Sequence, residues 1–267
     1  MRIRIVDAFT DRPFAGNPAG VLVLDSADFP DDRWLQHVAT EVNHAETAFV
    51  VPLPDDSDAD WALRWFTPKA EVRLCGHATL ATAHVLGGSV RFRTRHSGIL
   101  TAEVTDDGRI TLDFPVAPLT AIAVPADIAP AIGAEPLSVH ETGENVGDLL
   151  VELADEKTVR GLEPDLAAVA GLGSRRGLIV TAAADDPTAG YDFVSRGFFP
   201  NLGIPEDPVT GSAHTALAPF WSARLGRPRL TGLQASARTG LVGTMLQGER
   251  VLLTGTAVTV IDGELYG

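Results

Sequence analysis

Phe66-Thr67-Pro68, then Glu71-Val72, then Cys75-Gly76-His77-Ala78-Thr79-Leu80-Ala81 is one copy of a pattern that the chain states twice. The other copy is Phe199-Pro200, Glu206-Asp207-Pro208 and Gly211-Ser212-Ala213-His214-Thr215-Ala216-Leu217-Ala218. Each runs through an aromatic-Pro loop, an acidic loop, a glycine, a small polar residue and an apolar helix start. Gly76 and Gly211 lie 135 positions apart in a chain of 267 residues, so one copy falls in each half. A helix that begins on glycine leaves its first N–H groups without intrahelical partners. It also presents the positive end of its dipole, and the two together bind anions. Two such ends predict two similar lobes gripping one anionic molecule between them.

Composition narrows what those lobes do. A chain of 267 residues makes one large domain or two ordinary ones. The repeat selects two, residues 1–115 and 116–267, with the last strand able to cross back to the first lobe. A hydrophobic share of 45% and a charged share of 21% belong to an ordinary globule. The formal net charge of −14 argues against nucleic acid and anionic membranes, which demand clustered Lys and Arg. An acidic protein still binds a small anion when backbone N–H groups form the site. Cys75 is the single cysteine, which excludes an intramolecular disulfide and a zinc site built on cysteines. Met1-Arg2-Ile3-Arg4-Ile5-Val6-Asp7 starts as a strand with no signal-peptide pattern, and no apolar run spans a bilayer. The expected location is cytoplasmic.

Periodicity places the motifs. Strands are expected at 3–9, 19–24, 45–52, 61–66, 90–95, 99–104 and 110–114, the last two joined by Asp106-Asp107-Gly108. Asp31 caps a helix whose apolar face is Trp34, Leu35, Val38, Ala39 and Val42. A second helix opens at Cys75-Gly76-His77 and stops at Gly87-Gly88. Residues 115–125 read as a linker. Beyond it come short helices at 127–132 and 165–170, and a helix begins near Gly211. Strands are expected at 149–153, 177–182, 191–198, 251–253 and 257–261. The fold class is α+β, with two long antiparallel or mixed sheets, each wrapping a helix.

Each candidate site residue has two readings. Glu46, in Asn43-His44-Ala45-Glu46-Thr47-Ala48-Phe49-Val50, is a solvated strand-edge carboxylate or a general base with a raised pKa. Asp207 is turn chemistry before Pro208, or a carboxylate beside the second helix end that orients a substrate group. Gly76-His77 and Gly211-Ser212 are core helix starts or paired anion clamps. Cys75 precedes a helix glycine, where a thiol pKa falls. A two-thiol racemase needs a second cysteine, so Cys75 reads as a buried packing residue. Gly171-Leu172-Gly173-Ser174-Arg175-Arg176-Gly177 follows a helix rather than a strand and reads as a C-cap and turn, not a dinucleotide loop. The seven histidines contain no H-E-x-x-H pattern. A metal held by His77, His214 and Asp207 is conceivable, but none is expected.

At this point the residues resemble a known family. Asp7-Ala8-Phe9-Thr10 with Gly16-Asn17-Pro18-Ala19-Gly20-Val21, Asn43 to Phe49, Glu71 to Ala81 and Glu206 to His214 are similar to the PhzF-like family, named for phenazine biosynthesis. Its wider superfamily includes diaminopimelate epimerase and proline racemase. The resemblance covers nearly the whole chain. It implies a diaminopimelate epimerase-like fold: two similar lobes, each with a mixed or antiparallel sheet wrapped around a central helix, and a site in the cleft. It implies a homodimer and cofactor-free proton transfer on a small anionic metabolite. Carried over by motif, Glu46 is the acid/base, and His77, Asp207 and Ser212 complete the catalytic set. Gly76, Gly211 and Asn17 bind substrate. Asp207-Pro208-Val209-Thr210-Gly211-Ser212 stands where epimerases carry their second cysteine motif, a departure that fits the PhzF-like branch. The leading expectation is a one-base isomerase. The alternatives are an epimerase or racemase with Asp207 or Cys75 as second acid, and a non-catalytic small-molecule binder.

Overall fold

The computed structural model describes residues 1–173 and 175–267. The first half runs β1 (Arg2–Ala8), β2 (Asn17–Val23), α1 (Asp32–Val42), β3 (Glu46–Pro52), β4 (Trp61–Phe66), β5 (Glu71–Val72), α2 (Gly76–Leu86), β6 (Val90–Thr94), β7 (Ile99–Val104) and β8 (Ile110–Pro115). The second runs β9 (Thr120–Ile122), α3 (Ile128–Ile132), β10 (Ser138–Glu141), α4 (Gly143–Val146), β11 (Asp148–Glu152), α5 (Glu156–Gly161), α6 (Leu166–Ala170), β12 (Gly177–Ala183) and β13 (Phe193–Phe199). It continues through a 3-10 turn (Pro200–Leu202) to β14 (Ile204–Asp207), α7 (Gly211–Leu225), β15 (Arg229–Gln234), β16 (Gly240–Gln247), β17 (Arg250–Gly255) and β18 (Ala257–Glu264).

The chain forms two compact units: Met1–Asp113 with Thr254–Gly267, and Phe114–Leu253. Their strand pairings repeat. In the first unit β1 and β2 are antiparallel, β2 and β3 parallel, β3 and β4 antiparallel, β4 and β6 parallel, and β6 and β7 antiparallel. In the second, β10–β11, β11–β12, β12–β13, β13–β15 and β15–β16 follow the same sequence of senses. A short strand flanks each site helix, β5 on β4 and β14 on β13. The outer neighbours also correspond. β18 lies antiparallel on β1, and β9 lies antiparallel on β10. The end of the chain thus completes the first unit, and the segment read as a linker supplies a strand to the second.

Helix composition explains the layers. α1 is amphipathic and buries one face, Leu35, Val38 and Ala39, against Phe49, Val51 and Phe66. Asp31 caps it by accepting from the Arg33 N–H, as its sequence predicts. α2 is apolar or small all round and buries seven consecutive residues, His77 to Ala83, as a helix inside a wrapped sheet must. α7 does the same in the second unit, where Ala213, Ala216, Leu217, Phe220 and Trp221 pack with Phe193, Ile179 and Leu230.

Several expected elements need correction. Residues 115–125 are not a plain linker, since β9 lies within them. β10, α5, β15 and β16 carried no expectation. β15 and β16 contain Gly232, Gly240 and Gly243, which a propensity reading treats as breakers. Gly232 is demanded by packing: a Cβ there would stand 2.5 Å from the Phe193 ring. Gly171 caps α6, while Ser174 of the same glycine-rich stretch lies outside the described residues.

Candidate active site

Glu46, Asn17, Cys75 and His77 come together in the first unit. Glu46 is the first residue of β3, and Asn17 is the first of β2. Asn17 is buried at the β1–β2 turn, paired with Ala8. Gly16 makes that entry possible: its φ is +63°, and a Cβ would stand 2.1 Å from the Ala8 carbonyl oxygen. Cys75 is the N-cap of α2 and makes no side-chain capping bond, so the helix start is left to other partners.

His77 organises the group. Its Nε2 lies 3.3 Å from Glu46 Oε2, and its Nδ1 lies 3.3 Å from Asn17 Nδ2 and 3.5 Å from Cys75 Sγ. The Asn17 amide nitrogen only donates, so Nδ1 is the accepting nitrogen and Nε2 carries the proton. That proton faces Glu46, although the approach is not aligned as a hydrogen bond. His77 is 5% exposed, and burial lowers its pKa to about 3, so the ring is neutral at physiological pH. The Glu46 side chain keeps 13% exposure. A partly exposed carboxylate beside a neutral imidazole can take up and return a proton. Among the described residues, Glu46, Cys75 and His77 also form the group whose donor atoms sit close enough to hold a metal, all within 4.8 Å.

The second unit positions Asp207 and Ser212. Asp207 ends β14, and its Oδ2 accepts from the Thr210 hydroxyl at 2.6 Å. Thr210 is the N-cap of α7 but spends its hydroxyl on Asp207 and makes no capping bond. Gln234, fully buried on β15, fixes this loop. Its Oε1 accepts from the Thr210 N–H at 2.8 Å, and its Nε2 donates to the Asp207 carbonyl at 2.7 Å. Ser212 Oγ accepts from Arg176 Nη2 at 2.8 Å. Arg176 in turn forks onto Asp148, whose side chain is fully buried and whose pKa is raised by that burial. Gln234 on β15, Asp148 on β11 and Arg176 just before β12 escape sequence reasoning because they lie 22 to 64 positions from Ser212, with no motif to link them. His214 is fully buried, its Nδ1 donating to the Thr210 carbonyl at 2.8 Å, and its pKa is lowered to about 4 by burial. It reads as a core histidine rather than a metal ligand.

The chain resembles known proteins over nearly its whole length. The chain matches PhzC-PhzF, described as phenazine biosynthesis-like protein, over residues 6–263. It belongs to that family. An uncharacterized isomerase of Pseudomonas aeruginosa is 46% identical over 268 residues, spanning 98% of this chain and 97% of the relative. One from Halalkalibacterium halodurans is 44% identical over 272 residues, with the same coverage. A PhzF family crystal structure from Enterococcus faecalis superposes with a TM-score of 0.90 at 39% identity, covering 99% of this chain and 98% of that one. A hydroxyproline epimerase from Agrobacterium vitis shares the fold at a TM-score of 0.61 and 14% identity, covering 98% and 91%. The fold of this PhzC-PhzF member is therefore the α+β epimerase-like one its motifs resemble. Among its described residues no helix is long and apolar enough to cross a membrane.

Proposed function

We propose that the protein is an isomerase that shifts a proton within a small carboxylate-bearing metabolite, with Glu46 as acid and base and no cofactor. The observation that carries this reading is Glu46 Oε2 at 3.3 Å from the neutral His77, beside the α2 start that Cys75 leaves without a side-chain cap. The isomerase names of the relatives support the reaction class.

The chemistry follows from these parts. A carbon next to a carboxylate or an unsaturated system is a weak acid. Removing its proton requires a base in reach and a preorganised positive field for the charge that develops. Glu46 takes the proton and returns it to another carbon of the same molecule. The α2 dipole steadies the anion, while the His77 N–H faces the Glu46 carboxylate that moves the proton. The motif resemblance assigns Asp207 and Ser212 to the same reaction. Arg176 donates to Ser212 Oγ, which leaves the Ser212 proton to donate elsewhere.

An epimerase remains the second reading, because Cys75 Sγ lies 3.5 Å from His77 Nδ1 and gives the group another acid. Incubating the protein in D2O with a panel of small carboxylates, read by NMR and mass spectrometry, separates the two. A one-base shift moves the proton between carbons with part of it retained. Epimerisation places deuterium at an inverted centre. No exchange with any carboxylate would end both readings.

A further inference from the structure

We propose that Gln234 and Thr210 are positioning residues for the reaction, a role that rests on the isomerase reading above. They fix the direction of a hydrogen-bond chain that ends on Asp207, so that Asp207 Oδ2 receives a hydrogen bond and delivers no proton. All three residues belong to the second unit.

Two backbone groups set the direction, because neither can change its role. The Thr210 N–H only donates, and the Asp207 carbonyl only accepts. Gln234 meets both, at 2.8 Å and 2.7 Å, and this assigns its amide: Oε1 faces the N–H, and Nε2 faces the carbonyl. Turned over, the amide would set donor against donor and acceptor against acceptor. Nε2 carries a second proton, and Thr210 Oγ1 lies 3.1 Å away to accept it. A hydroxyl has a single proton to give. With Gln234 donating to Oγ1, the Thr210 proton points to Asp207 Oδ2 at 2.6 Å. A hydrogen bond accepted by a carboxyl oxygen favours the carboxylate over the acid.

The surroundings hold the chain in place. Gln234, Thr210 and Asp207 are all buried. Ser236, just past β15, donates its hydroxyl to the Pro208 carbonyl at 2.8 Å, so the loop is tied again between Asp207 and Thr210. Gly197 stands opposite Asp207 on β13, and a Cβ there would lie 3.1 Å from Thr210 Oγ1. Glycine at that position leaves the hydroxyl its room. On the isomerase reading, Asp207 then presents an acceptor to a substrate N–H or O–H, and proton transfer is left to Glu46. The same chain argues against Asp207 as the second acid of an epimerase.

The test is NMR of the full chain, labelled with 13C and 15N, at neutral pH and with no reactant added. Expected in the wild type is a slowly exchanging Thr210 hydroxyl proton at low field. Thr210→Val keeps the shape and removes the hydroxyl, so the Asp207 carboxyl carbon resonance should move. Thr210→Ser restores the donor and should return that resonance towards its wild-type position. Gln234→Leu lets the hydroxyl rotate, and its proton should exchange about tenfold faster or more. Circular dichroism checks each variant, and the wild-type hydroxyl signal carries the result if a variant does not fold. Three outcomes would overturn the proposal: no slowly exchanging Thr210 hydroxyl in the wild type, an Asp207 carboxyl resonance unmoved in Thr210→Val, or one moved equally in Thr210→Ser. Because no reaction is followed, such a failure leaves the isomerase reading standing. An inert protein that shows the expected signals would fail that reading alone.

Discussion

Glu46 is the residue on which the proposed reaction stands, and Gln is its closest inert replacement. Glu46→Gln keeps the size and cannot take a proton, so turnover should fall by ~10²–10⁴-fold with the melting temperature nearly unchanged. Near-normal deuterium exchange by that variant would remove Glu46 from the mechanism. Cys75→Ala tests the neighbouring thiol. For a one-base isomerase its activity should fall less than about tenfold and its stability by about 1 kcal/mol. A folded but inactive Cys75→Ala enzyme would favour the epimerase. Glu46 and His77 were legible because each sits in a motif. Their 3.3 Å approach was not, because 31 positions of chain separate them.

At the scale of elements, the starts of α2 and α7 share one device. Each N-cap side chain is directed away from capping, Cys75 towards His77 and Thr210 onto Asp207. In the second unit the loop before α7 depends on Gln234. Gln234→Leu leaves the Thr210 N–H and the Asp207 carbonyl without their buried partner. The expected cost is about 2–3 kcal/mol in urea unfolding, since each stranded group pays its desolvation. A loss below about 0.5 kcal/mol would show that the loop holds itself. α1 was readable from its cap and apolar face, and α2 and the start of α7 from the glycines that open them, whereas α4 and α5 were not. β15 and β16 were not, because glycines interrupt their local propensity, and Gly232 answers to the Phe193 ring instead.

At the scale of the whole molecule, burial makes stability depend on pH. His77 and His214 are held neutral, with pKa values lowered to about 3 and about 4. In the unfolded chain both titrate near ~6.5. As pH falls below that value the unfolded state takes up protons that the folded state refuses, so stability falls with pH. The slope is up to ~1.4 kcal/mol per pH unit for each histidine, until the folded values are reached. Asp148, raised by burial, works in the opposite sense and offsets part of the loss. Urea unfolding between pH 7 and 4.5 should show this slope, and His214→Gln should reduce it by up to ~1.4 kcal/mol per pH unit, the share of one histidine. An unchanged slope would mean that His214 is protonated in the fold. The strand exchange makes a separate prediction. β1 lies between β18 and β2, so deleting residues 257–267 strips one side of a central strand. The shortened chain should lose the first unit's native circular dichroism and amide protection, and retention of both would show that β18 is dispensable.

The amino-acid order by itself determined the repeat, the two helix starts and the acid–base candidates. These are local signals: glycine at a helix start, a cap residue, an apolar period, a motif. Only the tertiary structure decided that β18 completes the first unit, that β9 serves the second, and which side chains meet His77 and Asp207. Those outcomes rest on strand pairing and packing between residues far apart in the chain. The free energy of such contacts comes from burying surfaces against each other, and no local pattern encodes the partner.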